Sequence, residues 1–338
     1  MIDLDAALIA RRCAALIRVH YVFADVGEQL GELLDRGCAD GRYAGVGNDR
    51  VALAELVTAD LQSVSHDRHL RLLHRDDPLP DLQDEAAEMH MYAVMARGAM
   101  SGIRRLERLG GNVGLLCLAP MMFPVAVVGG AMCAAMNVLA DASALIVDLR
   151  DTLGGDPATV SLVCSYLLDE STHLNSMVAR DGSTTQSWTL PWVPGPRFGG
   201  TKPVFVLTSR ATFSGGEELA YDLQQLRRAT VVGEVTGGGA HAREGFTVEA
   251  HLELSIPVAA GHNPSSGANW EGVGVIPDVA ASAGEALEAA LGLAHVGLAQ
   301  GQKASDRRQR PPRPNQEVKD MQPTRVERPI PASPGGTY

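Results

Sequence analysis

Lysine is scarce in this sequence: only Lys202, Lys303 and Lys319 occur among the 29 basic residues. Cysteine is also sparse, since the five cysteines are odd in number and form no Cys-x-x-Cys pair. The odd number and the spacing of the cysteines argue against a disulfide framework and against a zinc site, and we predict neither a metal nor a cofactor. The first residues lack the basic start and apolar core of a secretory signal, which predicts a cytoplasmic protein.

Acidic residues outnumber basic ones, and the charge is unevenly distributed along the chain. The formal net charge of −11 argues against nucleic acid as the main partner. Residues 299–338 hold eight Lys/Arg and four Asp/Glu, so the other 298 residues carry −15. This terminal segment also holds seven of the 19 prolines and a single aromatic residue. It is too poor in apolar side chains to form a core, which predicts a disordered Pro/Arg-rich tail.

A 24-residue stretch without charge, Val113–Met136, is long enough to span a bilayer. Pro120, Pro124 and the Gly129–Gly130 pair would interrupt a membrane helix, and strong basic clusters do not flank both ends. We therefore predict a strand, a loop and a buried helix here, with no membrane span.

The periodicity of apolar residues divides the rest of the chain into two parts. Helical spacing from about Asp3 to Leu34, and again after a capping Asn48 or Asp49, indicates an N-terminal helical domain over residues 1–75. In residues 76–298, short apolar runs alternate with helical patterns, which is typical of an α/β sheet with largely parallel strands. The predicted strands are Asn112–Leu118, Ala144–Asp148, Pro203–Thr208 and Thr230–Gly233. The predicted helices between them are 130–140, 156–168 and 215–227.

One strand-to-helix junction has the pattern of a nucleophile turn. In KPVFVLTSRATFSGGEELAYDL, residues 202–223, Ser214 and two glycines stand between a buried strand and a helix. Free backbone N–H groups and the positive end of the helix dipole can stabilise an oxyanion there. Taken alone, the pattern favours a simple helix N-cap over a nucleophile.

A second glycine turn, with Gly154 and Gly155, follows another predicted strand in ALIVDLRDTLGGDP. If the two strands are adjacent and parallel, both turns meet at one sheet edge, where α/β sites form. Gly154 or Gly155 could then supply a second oxyanion donor.

A serine nucleophile needs a general base, and ten histidines are available. The cluster of His66, His69 and His74 lies between the two predicted domains, where a cleft would open. Surface or capping roles, or a metal-binding pair without a convincing third ligand, remain as alternatives.

Several motifs together resemble one family over roughly residues 10–295. They are YVFADVGEQL (21–30), SVSHDRHL (63–70), RLERLGGNVGLLCL (105–118), DLRDTLGGDPATVSLVCSYLLD (148–169), TSRATFSGGEELAYDL (208–223), RATVVGEVTGGGAH (228–241) and GANWEGVGVIPDV (267–279). The chain resembles the tail-specific (C-terminal-processing) serine peptidases, in the branch similar to interphotoreceptor retinoid-binding protein modules. This resemblance implies a ClpP/crotonase-like α/β core behind an N-terminal helical domain.

The resemblance also implies functional residues. The family's nucleophile falls on Ser214, and its oxyanion donors fall on the N–H of Gly215 with Gly154 or Gly155. Where processing peptidases carry the lysine base, this sequence has Gly239, which argues against a Ser-Lys dyad.

The tricorn-protease branch uses histidine and glutamate instead of lysine. Its histidine position resembles His69 and its glutamate position resembles Glu271, so the resemblance implies a Ser214–His69–Glu271 mechanism. His241, after the glycine run, is a second candidate base.

The sequence departs from the family in three ways. Thr152 replaces the family's asparagine in the DLR-x-Asn-x-Gly-Gly motif, and the interval from His69 to Asp148 is too short for an added PDZ domain. The stretch Val113–Met136, expected to line part of the cleft, is unusually apolar. We therefore expect a serine-type peptidase acting on peptides, or a non-proteolytic relative that binds or transforms a hydrophobic small molecule. A third hypothesis is an inactive interaction module, and an oligomer is compatible with each of these.

Overall fold

The computed structural model describes residues 4–82 and 84–309, with side chains as far as residue 300. The helices are α1 (Ala6–His20), α2 (Ala24–Ala39), α3 (Arg50–Ser65), α4 (Glu85–Gly98), α5 (Val125–Leu139), α6 (Pro157–Leu167), α7 (Gly215–Gln225) and α8 (Ala286–Gln309). The strands are β1 (Arg71–His74), β2 (Ile103–Leu109), β3 (Val113–Leu118), β4 (Ala144–Asp148), β5 (His173–Ala179), β6 (Thr184–Trp188), β7 (Val204–Thr208), β8 (Thr230–Gly233), β9 (His241–Glu249), β10 (Leu252–His262) and β11 (Val279–Ala280).

The main sheet has six strands in the order β11-β8-β7-β4-β3-β2. All neighbours are parallel except β2, which runs antiparallel to β3. The four central strands lie within one residue of their predicted limits, because continuous apolar runs fit strands that are buried on both faces. The predicted α/β class is confirmed.

Both faces of the main sheet are covered, and alternate residues of each strand serve different cores. Leu145, Val147 and Val206 pack with α5, α6 and α7. On the opposite face, Ile146 and Leu207 pack against α8. This period-two division explains why the strands contain almost no polar residues.

The second sheet is antiparallel, in the order β1-β10-β5-β6, with β9 paired to β10. The N-terminal helices α1, α2 and α3 share one apolar core with its strands β9 and β10. Asp49 caps α3 by accepting a hydrogen bond from the N–H of Ala52, as predicted. The helical pattern predicted from Asp3 to Leu34 is broken after His20, where the N–H of Val22 bonds to Pro257 of β10.

The uncharged stretch forms β3, a loop and α5, as predicted from its prolines. Among the described residues, no helix combines the length and apolarity needed to cross a bilayer. Residues 4–298 belong to one compact unit. The first part of the predicted tail, up to Gln309, completes α8, and residues 310–338 lie outside the described residues.

Candidate active site

Ser214 lies between β7 and α7, beyond the carboxyl ends of the parallel strands of the main sheet. Its backbone has φ 52° and ψ −123°, a left-handed conformation that costs a non-glycine residue roughly 1–3 kcal/mol. The residue is half-buried and directly precedes Gly215, the first residue of α7. Strain of this kind concentrates at functional positions, and a sharp strand-to-helix turn presents a serine side chain to a cleft.

The two glycine turns of the sequence pack directly against each other. A Cβ on Gly215 would lie only 2.7 Å from the carbonyl oxygen of Gly155, so a larger residue does not fit there. Gly154 has φ 143°, and a Cβ on it would lie 3.2 Å from the Cβ of Ser214. The neighbouring parallel strands β4 and β7 bring the turns together, since Asp148 is in register with Leu207.

Backbone donors in these turns are free. Within the residues that the structure describes, the N–H groups of Gly154, Gly155 and Gly215 donate no hydrogen bond. Gly215 is the first residue of α7, where an N–H group has no partner inside the helix. Free N–H groups beside a serine hydroxyl have the chemistry that an oxyanion requires.

Glu217 holds the serine turn in place, a role that we did not predict. Its side chain is fully buried and accepts four hydrogen bonds. One oxygen accepts from the N–H of Ser214 at 2.8 Å and of Gly239 at 2.8 Å, and the other from Gly238 and the hydroxyl of Thr236. Burial raises the pKa of this carboxyl, while these hydrogen bonds oppose the rise. The Ser-x-x-Glu spacing of a capping box was the available sequence signal.

His69 lies beside the serine turn, in the loop between α3 and β1. Its ring centroid is 4.5 Å from that of Phe213, the residue before Ser214. The side chain is 3% exposed, and neither Nδ1 nor Nε2 has a hydrogen-bond partner among the described residues. Burial lowers the pKa of the imidazole to about 3. His69 is therefore neutral and has both ring nitrogens free.

His241, at the start of β9, is held by carboxylates. Its Nδ1 lies 2.7 Å from Oδ2 of Asp67 and 3.7 Å from Oε2 of Glu271. Burial acts to lower the pKa of His241, but the hydrogen bond to Asp67 and the negative charges of Asp67 and Glu271 together outweigh it, and the pKa rises above its ordinary value of 6.5. Asp67 is buried and also accepts from the N–H of His69 at 2.9 Å. The Asp-x-His spacing in SHDRHL was a signal for Asp67 that we did not use.

Glu271 is half-buried and contacts His241 instead of His69. Its Oε2 accepts a hydrogen bond from the N–H of Ala240 at 2.6 Å, and burial raises the pKa of its carboxyl. Ser214, His69, Glu271 and His241 therefore lie in one region. The carboxylate contact of Glu271 is with the second candidate base.

Ser214, His69 and His241 line one cavity of about 350 Å³. The apolar part of its wall includes Met89, Met121, Pro124, Leu153, Met177, Phe213 and Trp270. The charged part comprises Arg71, Glu88, Asp156, Glu218 and Arg243. Only Met121 and Pro124 of the uncharged stretch 113–136 lie in this lining.

Two residues noted in the sequence have defined positions away from the reacting groups. The hydroxyl of Thr152 donates to the carbonyl of Leu118 at 2.6 Å, and its own carbonyl accepts from the N–H of Phe213. Thr152 thus ties the two glycine turns to β3. Lys202 bonds to the carbonyl of Ala140 at the opposite end of β7 from Ser214.

The donor atoms of Asp67, His241 and Glu271 all lie within 4.8 Å of one another. One imidazole nitrogen and two carboxylate oxygens could together hold a divalent cation such as zinc. The 2.7 Å distance between Nδ1 of His241 and Oδ2 of Asp67 is also that of a direct hydrogen bond between the two side chains.

Two solved structures have a similar fold. A lipoprotein from Streptococcus agalactiae is 14% identical, with a TM-score of 0.59 over 88% of this chain and 98% of that chain. The tricorn protease is 14% identical, with a TM-score of 0.50 over 82% of this chain and 34% of that chain. At these identities the likeness concerns the fold alone.

Two family models match the chain in the order that the motifs indicated. The N-terminal domain of Peptidase_S41 in eukaryotic IRBP matches residues 5–101. Peptidase family S41 matches residues 113–281, half of the 338 residues. That match includes both glycine turns, Ser214, His241 and Glu271. The resemblance found in the sequence is therefore confirmed, and the chain belongs to peptidase family S41 and is a serine peptidase.

Proposed function

We propose that this peptidase cleaves peptide bonds through an acyl-enzyme on Ser214, with His69 as general base and Glu271 as the acid that orients it. The observation that carries the proposal is the strained backbone of Ser214 beside three free N–H groups. Strain at the serine and unpaired donors around it have no evident structural benefit, whereas acyl transfer uses both.

The chemistry follows from these groups. Oγ of Ser214 attacks the peptide carbonyl carbon while its proton passes to the histidine. The negative oxygen of the tetrahedral intermediate accepts hydrogen bonds from Gly215 and from Gly154 or Gly155. The C–N bond breaks as the histidine returns the proton to the leaving amine. Water then attacks the ester in the same way and releases the acid.

Two observations support His69 as the base. It packs on Phe213 next to the nucleophile, and both of its ring nitrogens are free to bond with Ser214 and a carboxylate. Catalytic hydrogen bonds are often loose in an unliganded enzyme and tighten when substrate binds. Glu271, which contacts His241 in the unliganded structure, must approach the His69 imidazolium in that step, since burial otherwise disfavours the charge on His69.

A different observation favours His241 as the base. Its Nδ1 is already held at 2.7 Å by Asp67, with Glu271 nearby, as a base oriented by a carboxylate requires. In this second candidate mechanism, Asp67 takes the part that the first gives to Glu271.

Labelling with a fluorophosphonate tests the nucleophile. Wild-type protein should react at Ser214, and Ser214→Ala should not react while retaining the wild-type circular dichroism spectrum. Correctly folded wild type that does not react would contradict the acyl-enzyme proposal.

Two histidine variants then decide the base. We expect His69→Gln to lower kcat by roughly 10³-fold or more, with a smaller effect of His241→Gln. The reverse order would assign the base to His241.

The cavity favours a peptide over a purely hydrophobic ligand. Its wall carries acidic and basic side chains as well as apolar ones, and a peptide offers amides and side chains to both. A hydrophobic ligand would remove water from these charged groups and offer them no hydrogen bonds in return, at a cost in free energy. The alternative of a non-proteolytic binding protein predicts binding of lipophilic dyes without fluorophosphonate labelling.

A further inference from the structure

Glu218 is a buried acidic residue that the proposed mechanism does not use. It lies in the first turn of α7, where its backbone N–H donates a 2.9 Å hydrogen bond to the carbonyl of Ser214, the residue that precedes this helix. The side chain is 3% exposed, yet it lines the same cavity as Ser214. Glu218 and the nucleophile therefore share one cavity.

One oxygen of Glu218 is held and the other is free. Oε1 accepts a hydrogen bond from Nδ2 of Asn175 at 3.3 Å, and Asn175 is itself fully buried. In the described part of the chain, no donor bonds to Oε2 of Glu218. A carboxylate can accept several hydrogen bonds, so this group retains unused capacity toward the cavity.

A second buried carboxyl lies one turn further along α7. Oδ1 of Asp222 accepts from Asn263 at 2.9 Å, while Oδ2 has no partner among the described residues. Burial raises the pKa of Glu218 to about 7, and it also raises that of Asp222, with repulsion from Glu218 adding to the effect. Asp156 adds a further negative charge near Glu218. A cation entering this part of the cavity would relieve the repulsion.

The basic residues of the cavity lie on strands of the second sheet and not on α7, which carries Glu218. Arg71 lies on β1 and Arg243 on β9, in the sheet that carries His241. Arg243 is paired with Glu253, and neither arginine is among the groups that shift the pKa of Glu218. Glu88 lies near Arg243, whereas Glu218 belongs to a separate acidic part of the cavity.

We propose that Glu218 determines substrate specificity by binding the cationic end of a lysine- or arginine-like side chain. That side chain belongs to the residue whose carbonyl carbon Ser214 attacks. Met177 and Trp270, in the same lining, offer apolar surface to the methylene stem of such a side chain. This inference rests on the proposed function, because it assigns a substrate class to the same site.

Two phosphonate probes test the inference without a known substrate. Both are diphenyl aminoalkylphosphonates, one with a lysine side chain and one with a norleucine side chain of similar length without the ammonium group. Oγ of Ser214 forms a bond to phosphorus, phenoxide leaves, and the serine proton ends on phenol. Wild type should react with the lysine probe roughly 10- to 100-fold faster, as expected for a hydrogen bond to a charged group.

The variant Glu218→Gln should bring this rate ratio close to one, while Glu170→Gln should keep it. Glu170 is exposed and lies outside the cavity. Equal rates of the two probes on wild type would overturn the inference even if Glu218→Gln failed to fold. A ratio unchanged in folded Glu218→Gln would do the same.

The two proposals fail in different ways. If both probes label wild type at the same rate, the acyl-enzyme proposal still holds and the specificity inference is wrong. If neither phosphonate probe nor fluorophosphonate labels wild type, the proposed function is contradicted, and the specificity inference is contradicted with it.

Discussion

The backbone N–H of Ser214 donates a 2.8 Å hydrogen bond to the carboxylate of Glu217, three residues further along the chain. The same carboxylate binds the N–H groups of Gly238 and Gly239, which lead to His241. One buried side chain therefore joins the nucleophile turn to the segment that carries a candidate base. Glu217 is a positioning residue, since it acts through Ser214 and contacts no reacting atom.

Replacing Glu217 with glutamine should impair both activity and stability. The amide NH2 would face backbone N–H donors, leaving buried groups unsatisfied at roughly 1–3 kcal/mol each. We expect a fall in kcat with a smaller change in KM, measured by steady-state kinetics, and a lower midpoint of urea unfolding. Glu170→Gln is the matched control. Full activity in Glu217→Gln would contradict the positioning role.

Adding one methyl group at Gly215 should disrupt the contact between the two glycine turns. A Cβ there would meet the backbone of Gly155 at 2.7 Å, so Gly215→Ala forces the turns apart. We expect a destabilisation of about 1–3 kcal/mol and a large loss of fluorophosphonate reactivity. Gly284→Ala, where a Cβ meets nothing within 4 Å, should leave both unchanged. Wild-type reactivity in Gly215→Ala would argue against an oxyanion role for this turn.

The pH dependence of labelling separates the two candidate bases. A base must be neutral, and the pKa of His69 is lowered to about 3 by burial. With His69 as base, the fluorophosphonate rate should therefore show no acid limb between roughly pH 5 and 8. With His241 as base, whose pKa is raised above 6.5, the rate should fall as pH drops through that higher value. Fluorophosphonate is the suitable probe because it carries no cationic side chain for Glu218.

Asp67→Asn should remove a pH-dependent part of the stability. The folded-state pKa of His241 is raised, so its pairing with Asp67 stabilises the fold below the ordinary value of 6.5. This contribution is lost as pH rises through the raised pKa. Urea unfolding at roughly pH 5.5 and 8.5 should show that the variant loses more stability at the lower pH. Asp25→Asn, an exposed position on α2, serves as the control.

If Asp67→Asn lost the same free energy at both pH values, the charge on His241 would not contribute to the pairing. The imidazole pKa of His241, measured by NMR, gives an independent check. It should be lower in the variant than in wild type.

Sequence patterns predicted the fold well because they reflect local requirements. The apolar runs of β4 and β8 match their predicted limits, since both faces of these strands are buried. The prolines of the uncharged stretch correctly indicated a strand and a helix separated by a loop. The break between α1 and α2 was missed, because Val22 is held there by Pro257, distant in sequence.

By itself, the sequence determined the family, the α/β class and the serine turn with its two glycine runs. These depend on residue types at short spacings, which the chain carries in its order. Only the tertiary structure decided which side chains meet. It paired His241 with Asp67, 174 residues apart, and left both nitrogens of His69 free. It also brought Glu218 into the cavity of Ser214. Such contacts arise from the packing of α7 and the second sheet around one cleft, and no local pattern encodes that geometry.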